Sequence, residues 1–85
     1  MYKVLVEKKA FKELKKLDKT VVRRVMTAIQ KLSSDPRPPG SKKLSGSENT
    51  WRIRVGDYRV LYAIDDVIRL IEITKVGHRR DVYRD

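Results

Sequence analysis

The sequence predicts an α+β domain over residues 1–85, ordered strand, helix, helix, strand, strand, strand, with a helical hairpin packed on one face of a four-stranded, largely antiparallel sheet. Three observations carry this prediction. Apolar residues alternate at the start of the chain and then recur at helical spacing. In the last third they form runs of strand-forming residues separated by pairs of turn residues.

Tyr2 to Glu7 alternates, with Tyr2, Val4 and Val6 on one side, and reads as a short strand. Lys8 to Leu17 sets Phe11, Leu14 and Leu17 on one stripe, with Lys8, Lys9, Lys12, Lys15 and Lys16 around the rest, as in a surface helix. Asp18 is placed to cap a second helix, with Leu17 and Val22 as a hydrophobic staple. Val22, Val25, Met26, Ile29 and Leu32 continue at helical spacing until Ser33-Ser34-Asp35-Pro36, where the proline disfavours helical geometry in the residue before it. Ser33 to Asn49 holds three prolines, two glycines and five serines, and so long a loop in a small domain is usually functional or mobile. Strands are then expected over Thr50–Val55, Tyr58–Ile64 and Val67–Val76, closed by two-residue turns at Gly56-Asp57 and Asp65-Asp66.

Composition narrows the function. Lys plus Arg number 21 against 11 Asp plus Glu, a formal +10 on 10.0 kDa, which points to a polyanionic partner, nucleic acid first. The absence of cysteine excludes disulfide and thiolate metal sites, and a single histidine excludes a multi-histidine centre. The longest apolar stretch, Val60 to Ile64, is far short of a membrane span, and the opening apolar run is too short for a signal-peptide core, so a cytoplasmic protein without a membrane partner is expected. The charge is uneven: through Lys43 there are 13 basic residues against 4 acids, and from Leu44 onward 8 against 7. The first half favours lysine, a solvated point charge; the second favours arginine, a planar fork suited to fixed phosphate contacts.

A two-residue turn at Gly56-Asp57 makes Val55 face Tyr58 and Arg54 face Arg59, with Arg52 diagonal to Arg59 on the same pleat. The other face then receives Trp51, Ile53, Val55, Val60 and Tyr62 and is the one the helices cover. Like charges opposed across a ladder destabilise it, so three guanidiniums on one pleat call for a bound anion; the plainer alternative is a solvated polar sheet face. Extending the pattern through the second hairpin puts Glu72 opposite Arg59, where it could hold the guanidinium, with Leu61, Ala63, Ile68 and Leu70 filling the rest of that face. Beyond the last strand, Gly77-His78-Arg79-Arg80-Asp81-Val82-Tyr83-Arg84 combines phosphate-binding arginines, a stacking aromatic and a histidine that titrates near neutrality. A solvated chain end is the plainer account of this tail, as a solubilising coat is of the lysine-rich helix face.

The helical hairpin, the lead-in Lys43-Leu44-Ser45-Gly46, the run from Trp51 to Tyr62 and the ending from Val76 to Tyr83 together resemble the RelE branch of the RelE/ParE toxin superfamily over essentially the whole chain. The resemblance implies a toxin of a type II toxin-antitoxin system. Such a toxin enters the ribosomal A site, cuts mRNA there by attack of a ribose 2′-hydroxyl on the adjacent phosphate, uses no metal or other cofactor, and is held inactive by a RelB-like antitoxin. Carried over by position, it implies a catalytic set of Arg52, Arg54, Arg59, Arg79 and Tyr83. His78 is added here as acid or base, and Lys42, Lys43 and Arg80 as further RNA contacts. The best-known enzymatic members have lysine at the positions of Arg52 and Arg54; arginine stays protonated, so these two can neutralise phosphate charge but not act as base. Two other readings fit the sequence: a ParE-like, non-enzymatic inhibitor of DNA gyrase, and a basic RNA-binding module without catalysis.

Overall fold

The computed structural model describes residues 1–80. Strand β1 (Lys3–Val6) leads into helices α1 (Lys8–Lys15) and α2 (Lys19–Lys31). Strands β2 (Lys42–Lys43), β3 (Thr50–Val55), β4 (Tyr58–Asp65) and β5 (Leu70–His78) follow. The sheet has five strands in the order β1-β5-β4-β3-β2, so the expected four-stranded sheet is corrected by one. The extra strand is two exposed lysines in the long loop, too short to leave a periodic signal, paired antiparallel with Trp51 and Arg52. β1 runs parallel to β5 and the other pairs are antiparallel, making the sheet mixed.

Both helices cover one sheet face. Val25, Ile29 and Leu32 of the second helical segment meet Ile53, Val60, Tyr62, Ile64, Ile71, Ile73 and Val76 in a single core. Leu14 of α1 and Leu17 just beyond it pack into the core as expected, but Ala10 takes the place expected of Phe11, which is 53% exposed with its ring capped by the Lys15 ammonium at 5.6 Å. Asp18 stands at the N-cap of α2, but its side chain makes no capping bond; its carbonyl accepts the Val22 N–H. Among the described residues no helix is long and apolar enough to cross a membrane.

The second hairpin departs most from expectation. The Asp65 carboxylate accepts the N–H groups of Val67 and Ile68, closing a longer loop in which Arg69 has φ of 56°. Asp65 therefore pairs with Leu70, and Val67 and Ile68 are solvent-exposed rather than in a strand. Farther along, Leu61 pairs with Lys75 but Tyr62 with Ile73, so Thr74 is a bulged residue. The expected pairing of Glu72 with Arg59 is overturned: Glu72 faces Ala63, and Arg59 faces Gly77.

The long loop is tied to the sheet at its start. The buried Tyr62 hydroxyl donates to the Pro36 carbonyl at 2.7 Å, and burial pushes this phenol up to about 12. Arg37 lies over the Trp51 ring and pairs with Asp66 at 2.9 Å, while Tyr2 donates to the same carboxylate. The Arg37 bond, then the Tyr2 bond, holds the Asp66 carboxyl below its ordinary range. A depressed carboxylate stabilises the fold at pH above its unfolded value of ~3.9 and loses that contribution as pH falls through the lower folded value. The wild-type protein is therefore expected to melt above Asp66→Asn at neutral pH, with the gap closing in acid. The pair is exposed, so the gap is small and shrinks with salt; thermal melts against pH check this.

Candidate nucleic-acid interface

The β3–β4 hairpin forms as its turn chemistry dictates. Gly56 takes φ of 60°, which a side chain would resist, and the two-residue turn sets Val55 opposite Tyr58 and Arg54 opposite Arg59. Arg54 and Arg59 thus leave the same pleat of the sheet, the one without helices. Arg59 pairs on β5 with Gly77, which brings no side chain of its own to that pleat. The chain then turns at the end of β5, where the Arg79 N–H donates to the Asp57 carbonyl at 2.8 Å. A cleft of about 160 Å³ results, lined by Arg54, Arg59 and Arg79 together with Gly56, Asp57 and Tyr58. Three guanidinium-bearing residues surround this small opening, with Asp57 the one acid lining it among the described residues, an arrangement chemically suited to a phosphate or a developing negative charge.

The remaining sequence-predicted residues that the structure describes fall around this cleft rather than in it. Arg52 is only 4% exposed; it faces Leu61 and Lys42, and Leu44 packs with Leu61. It is a buried cation with interactions of its own rather than a solvated one, and it lines a separate groove with Ile53, Arg54 and the Pro38–Gly40 segment. Lys42 and Lys43 are exposed on β2. His78 belongs to β5, not to a tail beyond it; it pairs with Tyr58, so the register gives it to the pleat opposite Arg54 and Arg59. Its ring meets Tyr58 edge-on at 5.5 Å, and its Nδ1 accepts the Arg80 N–H at 3.2 Å, while Arg80 itself is exposed. Tyr83 lies outside the described residues. Sequence reasoning did not single out Asp57 and Tyr58 as lining residues; their place in a two-residue turn beside arginines was the available signal.

Two helices on one face of a five-stranded mixed sheet are a fold shared with chains of known toxin-antitoxin complexes. Residues 4–83 match the family model described as ParE toxin of type II toxin-antitoxin system, parDE. The chain is 34% identical to the toxin RelG of Mycobacterium tuberculosis over 98% of its own length and 97% of that protein. It superposes on a chain of the archaeal RelE-RelB complex of Pyrococcus horikoshii with a TM-score of 0.83 and 31% identity, covering 95% of this chain and 98% of that one. For the RelBE2 toxin-antitoxin complex of M. tuberculosis the TM-score is 0.81 at 32% identity, covering 92% and 98%. The chain belongs to the RelE/ParE family of toxins of type II toxin-antitoxin systems.

Proposed function

We propose that this toxin is a ribosome-dependent endoribonuclease that cleaves mRNA in the A site, and that its catalytic surface is the cleft of Arg54, Arg59 and Arg79. The cleft is the observation that carries the reading: opposed arginines weaken a sheet ladder, and a bound phosphodiester offsets that cost. In the reaction the O2′–phosphorus bond forms as the phosphorus–O5′ bond breaks, leaving a 2′,3′-cyclic phosphate and a 5′-hydroxyl. The 2′-hydroxyl gives up a proton and O5′ takes one. Negative charge builds on the non-bridging oxygens of the phosphorane, where fixed guanidiniums stabilise it more than they stabilise the starting diester. Arginine cannot take the 2′-proton. His78 sits on the other pleat beside Tyr58, which supports a positioning role for it at the hairpin tip, with the proton passing to Tyr83, to a ribosomal group or to water.

The structural relatives include RelE-RelB complexes, which supports a RelB-like antitoxin as partner. Such a partner would cover the helix-free face, where Leu5 is 45% exposed, and would carry acidic groups to meet the +10 charge. The match to a ParE model favours the second reading, gyrase inhibition. Brief induction of the chain without its antitoxin, followed by mapping of transcript 5′ ends, separates the two. Breaks within translated reading frames are expected; DNA damage with intact messages would replace this function with the other.

A further inference from the structure

The arginine cleft occupies one side of the β3–β4 hairpin tip. On the side toward α2 lies a larger cavity of about 280 Å³, lined by Val21, Arg24, Val55, Gly56, Asp57 and Tyr58. The two cavities share Gly56, Asp57 and Tyr58, so they adjoin across the turn. Arg24 comes from the exposed side of α2 and its guanidinium rests on the turn: a Cβ at Gly56 would lie 3.2 Å from Nη2. Glycine is favoured there by its positive φ, while the Arg24 guanidinium packs closely over it. Among the described residues no carboxylate lies within salt-bridge distance of Arg24, whose charge is therefore open to an outside anion. Around it, Val21 and Val55 give the cavity an apolar floor and the half-buried Tyr58 an aromatic wall, braced edge-on by His78.

A cation beside an apolar and aromatic surface is what one nucleotide requires: a guanidinium for its phosphate and flat apolar contact for its base. We propose that this cavity is a second nucleotide subsite, which binds the mRNA nucleotide adjoining the scissile linkage, with Arg24 on its phosphate and Tyr58 against its base. The proposal rests on the mRNA-cleavage reading above. With it, the hairpin tip holds consecutive phosphates on its two sides, and strand tension across the turn aligns the 2′-hydroxyl with the scissile phosphorus.

The test measures toxin affinity for ribosomes programmed with short messages that carry a 2′-deoxy at the mapped cleavage position, so that binding is read without cleavage. Arg24→Gln is expected to weaken binding about tenfold and to reduce the slope of log affinity against log salt by roughly 0.7. Arg24→Lys should recover the salt slope. A neutral methylphosphonate at one linkage flanking the cleavage position should weaken the wild type to a similar extent and leave Arg24→Gln unchanged, because the two changes remove the same contact. Wild-type affinity and salt slope in Arg24→Gln would overturn the subsite. So would losses that add to those of every flanking methylphosphonate, since Arg24 would then be touching ribosomal RNA. Weakened antitoxin binding with unchanged ribosome binding would overturn it too, assigning Arg24 to a protein interface. If the wild-type chain leaves messages uncut in the mapping experiment, the cleavage reading itself fails, an outcome distinct from these.

Discussion

Replacing Arg54 with alanine is expected to reduce single-turnover mRNA cleavage on programmed ribosomes by roughly a hundredfold to a thousandfold, the usual loss when one fixed donor to a developing oxyanion is removed. The protein should fold as before. Arg54 is exposed, faces Arg59 directly across the ladder, and lies on the pleat no helix covers, so its removal relieves a like-charge pair without opening a cavity. A gain of about a few tenths of a kcal/mol is expected. Opposite signs in the two assays mark a residue kept for its ligand. A loss of stability together with activity would make Arg54 structural and move the site. Arg54→Lys is a graded control: it keeps charge but loses the planar fork, and should recover part of the rate. Arg59 is the less clean position, being half-buried with interactions of its own, so its alanine variant mixes packing with chemistry.

The first hairpin was legible in the sequence because its register depends on two residues. Gly56 and Asp57 fix the turn, and every pairing from Val55–Tyr58 to Trp51–Tyr62 follows by counting, including the opposition of Arg54 and Arg59. The second hairpin was not legible, because two side chains that bond to backbone decide it. Asp65 folds back on Val67 and Ile68 and lengthens the loop by two residues, which shifts the register but preserves which face each residue takes. The bulge at Thr74, whose hydroxyl donates to the Leu61 carbonyl at 3.2 Å, then shifts it by one more and reverses the faces beyond it. No apolar period announces either event. Arg52 illustrates a second limit: alternation correctly put it on the face opposite the helices, but not that this face would bury it beside Leu44 and Leu61. The two-residue β2 opposite it left no pattern to read.

The reversal at Thr74 makes Glu13 the position where stability and activity should fall together. Continued without a bulge, the register from Ile73–Tyr62 would set Val76 opposite Arg59 on the arginine pleat; with it, Val76 turns into the core at 2% exposure and Gly77 takes the place beside Arg59. This arrangement leaves a backbone group to satisfy. β1 ends at Val6, opposite Ile73, so the Val76 N–H has no strand to bond on that side. Helix α1 fills the gap, and the Glu13 carboxylate accepts that N–H at 2.9 Å. Glu13→Ala therefore leaves a partly buried donor unpaired. The expected cost is about 1–3 kcal/mol, or a fall in melting temperature of roughly 4–8 °C per kcal/mol for a domain of this size. Cleavage should drop as well, because the end of β5 that Glu13 pins carries Gly77 and, through the bond from Arg79 to Asp57, the third arginine of the cleft. Glu13→Gln keeps an acceptor oxygen and should restore most of both. A destabilised Glu13→Ala that still cleaves at the wild-type rate below its melting point would mean that the cleft holds Arg79 without help from α1; melts and single-turnover rates on the same preparations decide between the two.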